Sequence, residues 1–210
     1  MPAMKRRDLL RAALALPLLS AVAMTAPGVA FAQAVDVTAI DTYLRGLRAA
    51  QGRFQQTNPN GSVQTGAFYL AKPGRIRFEY DKPKGAMVIA DGSWVGVFDP
   101  KSNRGPTRYP LSKTPLSLLL RDDISLREPG MVLGATRDPD GTTNITVVDP
   151  RAPNEGRIVM RFSANPIALS GWQVITKTGQ RTSVSLSNLQ TNVQPSRSLF
   201  NIELATANQR

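Results

Sequence analysis

The residues to weigh first for chemistry are the carboxylates Asp91, Asp99 and the pair Asp122-Asp123. Carboxylates in pairs do general acid–base work or hold hard cations. Asp91-Gly92 and Asp99-Pro100 read instead as turn signals, and Asp122-Asp123 follows the end of a leucine-rich stretch. None of them has the spacing of a ligand set. The chain has no histidine and no cysteine, which removes the commonest general base, every Ser-His-Asp arrangement and every thiolate nucleophile or metal ligand. No cofactor and no metal site is indicated, and an enzyme is disfavoured. The remaining charged cluster is cationic: Lys72, Arg75 and Arg77 surround one strand. It suits docking to an acidic partner as well as it suits a solvated strand face. Trp94 and Trp172 read as core anchors.

What the sequence does supply is ordered apolar surface. From Asp36 to Ala50, Val37, Ile40, Leu44 and Leu47 recur at helical spacing behind an Asp36 or Thr38 cap, and Gly52 is expected to end the helix. Strand patterns follow from Arg53. Ser62 to Ala71 places Phe68 and Leu70 on one face. After Pro73-Gly74, Arg75 to Tyr80 alternates, with Ile76, Phe78 and Tyr80 on one side and charges on the other. Met87 to Ala90 and Trp94 to Phe98 form a hairpin around Asp91-Gly92, apolar on both faces and so expected to be covered on both. Thr114-Pro115 opens a short leucine-rich helix, Leu116 to Leu120, with Thr114 as cap. The remaining strands are read at Met131–Arg137, Asn144–Asp149, Arg157–Phe162, Leu169–Thr176, Thr182–Leu189 and Leu199–Leu204. About ten short strands joined by short turns imply an antiparallel sheet that closes or curls into a barrel.

Residues 1–34 read as a segment apart. A basic opening, Lys5-Arg6-Arg7-Asp8-Leu9-Leu10-Arg11, precedes an apolar run to about Met24 and small residues at Ala30-Phe31-Ala32 or Ala32-Gln33-Ala34. That order is a cleaved export signal, twin-arginine in style. Residues 35–210 are then one domain. The full chain carries a net charge of +11. Removing four basic residues and one acidic with the signal leaves +8, which favours acidic partners or anionic head groups. Export argues against nucleic acid.

The chain is similar to a known family, the outer-membrane lipoprotein carrier proteins called LolA. The resemblance lies in the ordered set: the first helix, Arg53-Phe54-Gln55-Gln56, the run from Gly66 through Tyr80, Asp91-Gly92, Asp99-Pro100, Thr114-Pro115 with its leucines, Gly171-Trp172, Gly179-Gln180-Arg181-Thr182 and the late Phe200. It implies a mainly β fold with helices (α+β), an incomplete antiparallel β-barrel with a helical lid over an apolar cavity. The function it implies is a periplasmic chaperone that binds the acyl chains of lipoproteins and shuttles them from inner to outer membrane. The partners are acylated lipoproteins, an inner-membrane lipoprotein-releasing transporter and an outer-membrane acceptor lipoprotein, and the carrier is a monomer. The acceptor has a similar fold but is itself acylated on a cysteine, so the lack of cysteine favours the carrier. A carrier or sensor of another lipid, phospholipid or glycolipid, is the alternative.

The resemblance implies that Leu44, Leu47, Phe68, Leu70, Ile76, Phe78, Ile89, Leu116, Leu119 and Leu120 line the lipid-binding cavity; on periodicity alone they are core residues. In the family an arginine precedes the proline matched by Pro73 and hydrogen-bonds to the lid. Here that residue is Lys72, which keeps the charge but lacks the planar fork of donors. The resemblance therefore implies a latch that is weaker, or one made by Arg75 or Arg77.

Overall fold

The structure is a computed structural model describing residues 35–102 and 104–209; the expected export signal and its cleavage lie outside the described residues. Helix α1, Val37–Gly46, begins where Asp36 Oδ1 accepts hydrogen bonds from the backbone N–H groups of Thr38 and Ala39, at 3.0 and 3.2 Å. This cap satisfies donors that the first turn leaves orphaned. Strand β1, Ala49–Thr57, follows almost at once. Gly52 therefore does not end the helix, as its type suggested; it lies inside β1 at a bulge, where the register against the last strand slips between Gln51 and Arg53. A Cβ at Gly52 would stand 2.8 Å from Ser187 O and 2.9 Å from Asn188 O, so the bulge requires glycine there.

Ten more strands complete the sheet: β2 Val63–Ala71, β3 Arg75–Tyr80, β4 Met87–Asp91, β5 Trp94–Phe98, β6 Thr107–Pro110, β7 Val132–Arg137, β8 Thr143–Val147, β9 Gly156–Ser163, β10 Ala168–Thr176 and β11 Arg181–Gln190. Helix α2, Leu116–Leu120, sits between β6 and β7. All eleven strands form one antiparallel sheet in the order β6-β5-β4-β3-β2-β1-β11-β10-β9-β8-β7. The chain thus runs from the centre to one edge, crosses to the other edge through the segment that carries α2, and returns to the centre, where β1 and β11 pair. The edge strands β6 and β7 do not pair with each other, so the barrel is incomplete. Among the described residues, no helix is long and apolar enough to cross a membrane.

The curl of the sheet is measurable in its side chains. Three strands separate β3 from β10 in the sheet, which at the usual strand spacing would be about 19 Å if flat. Yet the rings of Phe78 and Trp172 lie 6.1 Å apart across the concave side. Phe78 also meets Phe54 edge-on at 5.0 Å and stacks near Phe68 at 6.5 Å.

One expected strand is not one. Arg197–Phe200 is a 3-10 turn, and Ile202–Ala207 is helix α3. Asn201 caps it by accepting from Leu204 N at 2.8 Å, and Glu203 lies in its first turn. Helix α3 packs on the outer face, with Ile202 and Ala205 against Ile89 and Phe98. The hairpin β4–β5 is accordingly covered on both faces, since Ala90 and Val95 belong to the inner core.

Gly66 is the tightest point of the inner face. It stands between Phe54 and Tyr80 in register, and a Cβ there would run into Glu79 O and come within 2.6 Å of the Phe54 ring. Backbone cannot give as a flexible side chain does. Gly66→Ala is expected to lower stability by about 1–3 kcal/mol in urea denaturation, with a far-UV spectrum that stays β-rich.

Candidate functional site

Side chains from both halves of the sheet converge on the concave face. Phe68 and Leu70 from β2, Ile76 and Phe78 from β3 and Trp172 from β10 are all 4% exposed or less. From α1 and the residue that ends it come Ile40, Leu44 and Leu47, and from α2 come Leu118, Leu119 and Leu120, all in the same cluster. Leu116 is half-buried against it. In this state the two helices fill the concavity with their own leucines.

Nine of the ten residues expected around the cavity are thus brought together, and one is not. Ile89 belongs to the separate cluster on the outer face under α3. The reason is the two-residue period of a strand. Ile76 pairs with Ala90, whereas Ile89 pairs with Arg77, so Ile89 shares the face of the charged residues. An apolar residue in a hairpin covered on both sides does not reveal which side it faces.

Both lid helices end at the same short turn between β2 and β3. The last carbonyls of a helix lack partners within it and attract cations. For α1 the partner is Lys72, whose Nζ donates to Leu44 O at 2.9 Å; its backbone N–H also donates to Arg48 O at 2.8 Å. For α2 it is the next residue but one: Gly74 N donates to Leu120 O at 2.9 Å. An exposed ion pair between Arg48 and Asp122 joins the segments that leave the two helices.

Helix α1 is also held from the other half of the sheet. Asp41, buried, accepts from Leu126 N at 2.7 Å. The Tyr43 hydroxyl accepts from Leu169 N at 3.0 Å, and its ring meets Phe162 edge-on at 6.0 Å. The helix therefore bridges the concavity from β2 to β10. Nothing in its sequence marked Asp41 or Tyr43 as cross-links, because both lie on a helix whose apolar stripe was the only visible signal.

The two arginines weighed for the latch go elsewhere. Arg77 pairs with Glu79 at 2.6 Å and donates to Leu199 O at 2.9 Å, which ties the outer face to the C-terminal segment. Arg75 donates to Ala71 O and Lys72 O at 3.3 and 3.4 Å and sits 6.0 Å from the centre of the Phe200 ring. Neither reaches α1. The contact to the lid is made by Lys72 itself, as a single donor where an arginine would offer a fork.

The carboxylates are structural. Asp91 Oδ1 accepts from Ser93 N and Trp94 N at 2.9 and 2.8 Å, and Asp99 Oδ1 from Lys101 N at 2.9 Å. Asp123 is held below the usual carboxylate range by its hydrogen bond from Arg121. Among the described residues, no three acidic groups are grouped to hold a metal ion. Trp94, read as a core anchor, is instead 46% exposed, while Trp172 is buried.

Burial pushes the Lys72 ammonium down to about 8; Asp122 opposes the shift and Arg48 adds to it, both by less. The closed lid thus holds a cation that water would stabilise better.

Residues 45–203 match the family described as outer membrane lipoprotein carrier protein LolA. An outer-membrane lipoprotein carrier protein of Xanthomonas campestris pv. campestris is 31% identical over 162 residues, 73% of this chain and 77% of that protein. Its counterpart in Neisseria meningitidis serogroup B is 27% identical over 191 residues, 86% and 88% of the two chains. Among solved structures, a LolA superfamily protein from Nitrosomonas europaea is similar at 14% identity with a TM-score of 0.37, over 80% of this chain and 98% of that one.

The Lys72 shift has a sign that can be measured. Its folded value of about 8 lies below the ordinary 10.5, so between these pH values this side chain binds more proton in the unfolded chain than in the folded one. The contribution of Lys72 to stability is therefore expected to rise with pH across the window from 8 to 10.5, by up to about 3 kcal/mol, with buried Tyr43 and Tyr80, both raised above 10, acting in the opposite direction at its upper end. Denaturant titrations of the native chain and of Lys72→Met across this range check it. The rise should be smaller in the variant by that amount; equal slopes would remove Lys72 as its source.

Proposed function

This chain belongs to the outer membrane lipoprotein carrier protein LolA family, and from that premise we propose that it binds the acyl chains of lipoproteins on its concave face and carries them through the periplasm from inner to outer membrane. It receives them from an inner-membrane lipoprotein-releasing transporter and yields them to an outer-membrane acceptor lipoprotein, working as a monomer. The observation that carries this reading is the apolar concave face of an unclosed barrel, covered by two short helices whose C-terminal carbonyls are both held at one turn.

The chemistry requires no reactive group. Burying an acyl chain gains roughly 0.8 kcal/mol per CH₂, so about twelve methylenes gain on the order of 10 kcal/mol. Binding that strong would not be reversible on a useful timescale unless something offset it. Leu44, Leu47, Leu119 and Leu120 occupy the same surface when the lid is closed. Cargo must displace them, and the loss of their burial subtracts from its gain. Lys72 would set how readily α1 leaves, because its bond to Leu44 O breaks when the helix lifts.

The test is a pair of experiments on protein taken from the periplasm of its own host. Native mass spectrometry is expected to find one acylated lipoprotein per chain. A photoreactive p-benzoylphenylalanine in place of Phe78 is expected to cross-link to the acyl chains, whereas the same residue in place of Ile89 on the outer face is not. Bound phospholipid or glycolipid without lipoprotein would redirect the reading to another cargo. Equal labelling from both positions would remove the concave face as the site.

A further inference from the structure

After β11 the chain runs back across the outer face, and between this segment and the ends of β1 to β3 lies a cleft of about 720 Å³. Four of its lining residues are cations, Arg48, Lys72, Arg75 and Arg197, and none is acidic. The acidic residues closest by are already engaged: Asp122 with Arg48, Asp91 with the β4–β5 turn, Glu203 with Arg108. Among the described residues, neither Arg75 nor Arg197 has a carboxylate within ion-pair distance. Arg75 is fixed in place by main-chain carbonyls and by the Phe200 ring. Such a guanidinium is positioned at little further entropic cost for an oxyanion.

A second cleft of about 520 Å³ adjoins the first, sharing Arg75, Arg197 and Phe200 and adding Trp94 together with two carboxylates, Asp91, which caps the β4–β5 turn, and Glu203, which pairs with Arg108. Trp94 is 46% exposed, which is unusual for so large an apolar side chain. An exposed indole beside arginines is the combination found at the head-group level of membranes, where one end is apolar and the other wet. A purely acidic peptide would need the cations but leave the indole unused.

We propose that these two clefts form a binding site for the phosphate of an anionic phospholipid head group, with Arg75 and Arg197 on the phosphate and Trp94 beside the glycerol and upper acyl region. The part of the site around Arg75, Arg197 and Trp94 lies on the outer face beside α3, away from the cargo surface, while its other end reaches the rim of the sheet at Arg48 and Lys72. That a lipid rather than free phosphate supplies the group rests on the carrier reading, which places the protein between two membranes. The +8 charge left once the signal is removed, counted from the sequence, draws it toward anionic surfaces generally; the clefts make one face of it specific.

The test uses cargo-free protein and vesicles of phosphatidylglycerol and phosphatidylcholine in equal parts, against phosphatidylcholine alone, with brominated acyl chains to quench Trp94. Binding and quenching are expected only with the anionic vesicles. Arg75→Gln with Arg197→Gln should weaken binding roughly 20- to 30-fold. Lys177→Gln with Arg181→Gln, exposed on the β10–β11 hairpin, should leave it within about twofold. Arg197→Gln alone, an exposed residue, should still lose about fivefold if the double variant does not fold. Equal losses in both pairs, or binding without quenching, would reduce the effect to overall charge and overturn the site. Saturable binding of inorganic phosphate without vesicle binding would overturn the lipid source, and capture of a polyglutamate peptide with vesicles ignored would replace lipid by protein. Because no cargo is present, cross-linking from Phe78 stands or fails separately.

Discussion

The unpaired carbonyls at the end of a helix set the terms for this molecule. A helix cannot satisfy its own last C=O groups, and a helix lying over an apolar surface has little water to do it. Here α1 and α2 both bring such an end to the three residues that turn β2 into β3. Lys72 answers Leu44 O with its side chain and Gly74 answers Leu120 O with its backbone. The same turn is part of the sheet that the helices cover. Position of lid and shape of sheet are therefore one problem with one solution.

Magnitudes assign the roles. A hydrogen bond contributes about 0.5–1.5 kcal/mol net, somewhat more when charged, and the ammonium of Lys72 gives part of that back through burial. Each leucine taken from water contributes about 1.5–3 kcal/mol, and five lid leucines are nearly inaccessible. Burial holds the lid closed; the polar contacts decide where it sits. A ligand that offers equal apolar surface can replace the burial, and then only the polar contacts distinguish open from closed. Asp41 and Tyr43 extend that argument to the far side, since they anchor α1 to the Leu126 loop and to β10.

Much of this fold was legible because local signals agreed with the tertiary solution. The Asp36 cap, the alternation from Arg75 to Tyr80 and the turn pairs each have a local cause, and each appears where expected. Failures came where two local readings competed. Gly52 suits a helix end and a bulge equally, and only the approach of β11 decides. Leu199 to Leu204 alternates like a strand, although Asn201 with Glu203 two residues later also reads as a helix start. Thr107–Pro110 is exposed throughout and had no apolar period to reveal it. Ile89 shows the limit of periodicity: it yields two faces and not their names. The outer clefts were illegible for another reason. Arg48, Arg75 and Arg197 come from distant parts of the chain and meet only because β1 pairs with β11 at the centre of the sheet, which brings the segment after β11 back past the start of β1.

The missing pairing between β6 and β7 has a consequence for capacity. A closed barrel has its radius dictated by strand number and stagger; its interior is a constant. An arc of the same strands has no fixed circumference. Small changes of twist, shared over ten strand pairs, move its edges apart without breaking a ladder hydrogen bond. On the proposed carrier function, the volume under the lid is then a variable that the contents help to set, and one set of wall residues serves loads of different girth.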